Sequence, residues 1–141
     1  MKKSLSAILI SLLAFSYAAD VSPTLSLRVN DMLGGLEFAS PVIGLSVALG
    51  DGVNTGFDAS SSTAGAVTTT NSRIYIERSY GRVGFGVYTV SDQSGDHEKP
   101  YFTIGATYNA YGNLNVDLDY VINQLATNTA DALQLSLTIG F

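Results

Sequence analysis

The segment Leu133-Gln134-Leu135-Ser136-Leu137-Thr138-Ile139-Gly140-Phe141 puts an apolar side chain at every odd position and a small or polar one between. Successive side chains on a strand point to opposite sides, so this period of two describes one β-strand with an oily face and a polar face. Leu133, Leu135, Leu137, Ile139 and Phe141 form an unbroken stripe. Its length is what a tilted strand needs to cross a bilayer, about nine to eleven residues.

The alternation recurs upstream. Segment 113–122 sets Leu114, Val116, Leu118 and Tyr120 against Asn115, Asp117 and Asp119. Segment 101–109 sets Phe102, Ile104, Ala106 and Tyr108 against Tyr101, Thr103, Gly105, Thr107 and Asn109. Segments 82–90 and 72–80 repeat the pattern, with Val83, Phe85 and Val87 opposite Arg82, Gly84, Gly86 and Tyr88, and with Ile74 and Ile76 opposite Arg73, Tyr75 and Glu77. Towards the N-terminus the pattern predicts strands near 24–30 and 42–50, and a weakly patterned one from Val53 to Phe57 after the tight-turn pair Asp51-Gly52.

Connection lengths alternate as well. Gly81, Asp51-Gly52 and Ala110-Tyr111-Gly112 mark short turns, whereas 31–41, 59–71, 91–100 and 123–131 read as long polar loops. The second of these, from Ala59 through Ser60-Ser61-Ser62-Thr63 to Thr70, is low in complexity. Eight strands with short turns on one side and long loops on the other describe an all-β, eight-stranded, antiparallel up-and-down transmembrane barrel. No room remains for a second domain.

Lys2 and Lys3 precede an uncharged stretch from Ser4 to Ala19 that ends in small residues, the order of a secretory signal peptide. Cleavage is expected after Ala18, with Ala19 as the alternative, so residues 1–18 form the signal and 19–141 the barrel. A transmembrane helix is the competing reading of the same segment, but Ser6 and Ser11 interrupt it. The exported chain carries five basic residues against twelve acidic ones, which excludes a nucleic-acid footprint. With no cysteine, disulfides and thiolate metal sites are excluded.

A soluble closed barrel of lipocalin type would turn the oily stripes inward. The opposite faces argue against it, because Arg28, Arg73, Glu77, Arg82, Asp117 and Asp119 suit a narrow interior where charges pair. Aromatic residues near strand ends, Tyr80, Tyr108, Tyr111 and Phe141 at the short-turn end and Tyr101, Phe102 and Tyr120 at the loop end, read as membrane-interface girdles.

On these features the chain resembles the small eight-stranded bacterial outer-membrane proteins of the OmpX and OmpA barrel type. The sharpest match is their C-terminal assembly signal, a terminal aromatic with apolar residues at alternate positions, here Leu135, Leu137, Ile139 and Phe141, with Ser136 where the signal usually has glycine. The resemblance implies residence in the outer membrane, contact with its lipids, and recognition by the barrel-assembly machinery through the last strand. It implies no particular activity.

An eight-stranded barrel is only wide enough for side chains to fill, so the inward charges are expected to form a buried structural network. A porin-like passage is the alternative, favoured by inward Gly44, Gly84, Gly86, Gly105 and Gly140. Those glycines equally suit strand curvature and close packing. A third reading is a lipid-modifying enzyme built on the sole histidine, His97, with Ser94, Asp96 and Glu98. A metal site from Asp92, Asp96, His97 and Glu98 has no recognised ligand spacing. Neighbours on one polar loop lack the rigid positioning that catalysis needs, so the expected role is non-catalytic, in envelope structure or surface interaction, with no cofactor.

Overall fold

Each period-two segment has a face that water rejects, and eight of them joined in order can hide every backbone edge only by closing into a cylinder. The computed structural model, which describes residues 20–32, 41–123 and 131–141, has this form. Its strands are β1 (Val21–Val29), β2 (Val42–Gly50), β3 (Val53–Ala64), β4 (Val67–Arg78), β5 (Gly81–Asp92), β6 (Gly95–Tyr111), β7 (Leu114–Ile122) and β8 (Ala132–Gly140). Every pairing is antiparallel between sequence neighbours, and β1 closes on β8 with Leu25 opposite Ile139 and Arg28 opposite Ser136. The expected signal peptide lies outside the described residues, as do most of the connections 31–41 and 123–131.

The faces are inverted relative to a water-soluble protein. Leu27 and Ile104 are 61% and 56% exposed, whereas Arg73 and Asp119 are each 1% exposed. Ile74, Ile76, Val83, Phe85, Phe102, Leu118, Leu137 and Ile139 complete an apolar belt around the outside. Such a continuous surface is at equilibrium in lipid rather than water.

Two segments expected to be loops are strands. Residues 59–71 belong to the β3–β4 hairpin, which pairs without a break from Val53 with Arg78 to Ala64 with Val67. Residues 91–100 extend β5 and β6, paired through to Asp92 with Gly95. Both hairpins turn tightly at a glycine in the left-handed region, Gly65 at φ 62° and Gly95 at φ 126°. Periodicity missed them because both faces stand in water beyond the belt, so no apolar alternation is demanded while Ser and Thr still suit the pleat. β1, β2, β7 and β8 have nine residues each and β6 has seventeen, so β3–β6 project past the barrel as a four-stranded sheet. Tyr101 also departs from expectation. It is fully buried inside the lumen and belongs to no girdle.

Candidate functional site

The lumen is built from the polar positions of all eight strands, and its centre is an ion cluster. Arg73 of β4 spans the cavity: its Nη2 and Nε donate to Asp58 Oδ2 at 2.6 and 2.9 Å, and its Nη1 donates to Asp119 Oδ2 at 2.6 Å. Arg28 Nη2 donates to the same Asp58 oxygen at 3.0 Å and its Nε to Ser136 Oγ at 3.1 Å. Arg82 Nη1 sits 2.9 Å from Asp117 Oδ2, and its guanidinium lies 3.9 Å from the centre of the Tyr75 ring. Thr107 and Thr138 hydroxyls donate to the two oxygens of Asp117. Three guanidiniums face three carboxylates, so the cluster is neutral as a whole, the condition under which buried charge is tolerable.

Five of the six charged residues expected inside thus meet in one cluster. Glu77 closes no ion pair with it: it faces inward directly opposite Arg82, whose guanidinium reaches Asp117 instead, and it takes a hydrogen bond from Asn54 Nδ2 at 3.3 Å. Asp58, which touches Arg28 and Arg73 and lies 3.9 Å from Arg82, was missed. Its signal was its place one residue after Phe57, on the polar face of a strand whose second half looked like a loop.

Glycines make room for the remaining contents. Gly56 lies directly opposite Tyr75, and Gly86 directly opposite Tyr101. A Cβ at either position would collide with the facing phenol ring. Tyr101 stacks on Tyr88 with centroids 4.5 Å apart, its hydroxyl donates to Asn71 Oδ1 at 2.7 Å, and Gln134 Nε2 donates to the Tyr88 hydroxyl at 3.0 Å. Gly44, Gly84 and Gly105 are likewise occupied by Thr24, Thr103 and Asp119, while Gly140 has no such neighbour. At the short-turn mouth a polar vestibule of about 380 Å³ opens between Ser22, Ser46 and Asn54.

The β5–β6 tip holds the residues of the catalytic and metal readings. Ser94 Oγ donates to Asp92 Oδ1 at 2.5 Å, and the Ser94 backbone N–H donates to the same oxygen. The Ser94 hydroxyl holds the Asp92 carboxyl below the usual carboxylate range. His97 Nε2 lies 3.0 Å from Ser94 Oγ. Because the single proton of Ser94 goes to Asp92, the imidazole can only donate to that oxygen, which is the reverse of a general base. Asp96 and Glu98 leave β6 on the face opposite His97. Among the described residues no His/Asp/Glu group is arranged to hold a metal ion.

No family model matches the chain, and neither does any curated protein. Among solved structures the chain is similar to Ail, the attachment invasion locus protein of Yersinia pestis, at 9% identity and a TM-score of 0.33, covering 85% of this chain and 93% of that one. A second structure of Ail, in complex with the heparin analogue sucrose octasulfate, matches at 11% identity and a TM-score of 0.31 over 85% and 92%. Independently of those likenesses, the strand pairing and the exposure of the side chains describe an eight-stranded, up-and-down barrel with its apolar side outward, the form of small outer-membrane barrels.

Proposed function

We propose that this chain is an exported, integral protein of the bacterial outer membrane, non-catalytic, with a closed lumen, acting through the sheet that stands beyond the membrane. The observation that carries this reading is the inverted distribution of faces, an apolar belt outside and a neutral ion cluster inside. Residues 1–18 supply the export signal, and Leu135, Leu137, Ile139 and Phe141, on the outward side of the closing strand, supply the signal read by the assembly machinery. The rings of Tyr88 and Tyr101 and the three arginines fill the space that a porin-like passage would need. The lipid-modifying alternative has its serine proton held by Asp92.

The projecting sheet offers surface of two kinds. Its β6 margin carries Asp96, Glu98, Lys99 and Pro100, residues that discourage further strand pairing, whereas Ser60 to Ala64 on β3 carry no charge and no proline. Contacts with other surfaces in the envelope are therefore expected on the β3 side.

The test is insertion and conductance together. Protein refolded into vesicles should migrate differently before and after boiling, and in planar bilayers should give no steady ion-selective steps. Reproducible steps would replace the closed-lumen reading with the porin-like one. Recovery of the exported chain as a water-soluble monomer without detergent would overturn the membrane reading itself.

A further inference from the structure

The sequence from residue 20 onward has five basic residues, and their placement is uneven. Arg28, Arg73 and Arg82 are inside the cluster and Lys99 lies on the projecting sheet. That leaves Arg78, at the end of β4, as the single cationic side chain of the short-turn end among the described residues. It is exposed on the outward side and makes no ion pair among the described residues, Asp20 and Asp51 of the same end included.

Beside Arg78 the apolar belt is indented. A groove of about 600 Å³ runs between Val53, Ile76, Val83 and Ile104, with Arg78 on its margin. Its hollow comes from Gly81, which stands on the outward face directly opposite Arg78 and brings no side chain to the belt. An apolar slot of this size ending at one unpaired guanidinium is matched to a molecule with an oily tail and an anionic head. Arg binds phosphate oxygens through paired N–H groups, and its methylene stem lies against apolar surface while its head stays wet.

We infer that this groove is a phospholipid site, with an acyl chain lying along Val53, Ile76, Val83 and Ile104 and the phosphate diester held by Arg78. The inference rests on the membrane reading above and deepens it. The short-turn end then faces the periplasmic leaflet, and Arg78 fixes one lipid of that leaflet to the barrel.

The test uses the whole barrel folded in maltoside micelles, titrated with phosphatidylglycerol or with a diacylglycerol of the same acyl chains, and examined by native mass spectrometry. One phosphatidylglycerol per barrel should be retained, and the diacylglycerol should not. Arg78→Ala and Gly81→Val should each weaken retention about tenfold, while Arg78→Lys should stay nearer the parent. Gly81 has an ordinary backbone, and a Cβ there meets nothing closer than the Arg78 carbonyl oxygen at 3.7 Å, so the valine fills the groove without strain. Equal retention by the parent and Arg78→Ala, or equal retention of the diacylglycerol, would overturn the site. A barrel that shifts on boiling yet retains no lipid would sink the inference and leave the membrane reading standing. A chain soluble without detergent would sink both.

Discussion

The outward side of β3–β6 is apolar along one stretch and hydroxylated along the next, although the same hydrogen-bond ladder runs through both. Phe57, Ile74, Phe85 and Phe102 lie straight across the four strands. Two rows further from the short turns the register sets Ser61, Thr70, Thr89 and Glu98 side by side, with Ala59, Ser72, Val87 and Pro100 between. Strand pairing is therefore indifferent to the boundary, and the surroundings alone choose the side chains. In the barrel body one face is the apolar belt and the other an enclosed, ionised lumen. In the projecting sheet the solvent is the same on both sides.

The largest consequence concerns charge. Asp58→Asn removes the carboxylate that receives Arg28 and Arg73, leaving buried guanidinium charge uncompensated, and should destabilise the barrel by about 3–5 kcal/mol. Asp92→Asn at the β5–β6 tip, where the carboxylate is exposed and answers the neighbouring Ser94, Gly95 and His97, should leave the global unfolding midpoint at the parent value. Urea unfolding from lipid vesicles, read by the loss of the heat-modifiable band, separates the two. If both variants unfold like the parent, the lumen is wet enough to hydrate its own ions and the contrast between the regions collapses.

A middle effect locates the lipid boundary. Leu118→Arg on the belt should cost about 2–4 kcal/mol near the membrane midplane. Thr70→Arg, on the outward side of the projecting sheet, should stay within about 0.5 kcal/mol. Similar penalties at both sites would mean that lipid reaches the hydroxylated rows; similar tolerance would mean that the belt does not meet lipid.

The same contrast governs how far the sequence could be read. Within the barrel body strands β4 to β8 were legible because lipid on one side and a lumen on the other write a strict alternation, as in Leu133 to Phe141. The outer parts of β3, β4 and β6 were not, because Ser60 to Thr70 and the start of β6 meet water on both faces and look like polar loops. The ion cluster was legible for Arg28, Arg73, Arg82, Asp117 and Asp119, whose strands alternate clearly. Asp58 was lost with its strand. Glu77 shares the inward face of Arg73 and stands directly opposite Arg82, yet sequence does not say which carboxylate a guanidinium will reach: Arg82 closes on Asp117, and Glu77 takes its hydrogen bond from Asn54. Tyr101 looked interfacial because a tyrosine near a strand end usually is; only the cross-strand register, which sets it opposite Gly86, turns it into filling.

The smallest effect tests whether the two regions are one cooperative unit. The Thr63 and Thr68 hydroxyls lie 3.1 Å apart across the exposed hairpin, a contact of the kind worth about 0.2–1 kcal/mol relative to an alanine pair. Replacing both by alanine should therefore speed hydrogen exchange of nearby hairpin amides by up to about fivefold, while the amides of Leu118 and Asp119 in the body keep the parent rate. The ladder in the hairpin has no packed face to hold it closed, so local opening there is expected to precede any opening of the barrel. Exchange that quickened equally at Leu118 would show that the sheet and the barrel open together, and the hydroxylated rows would then have to be counted as part of what holds the cylinder shut.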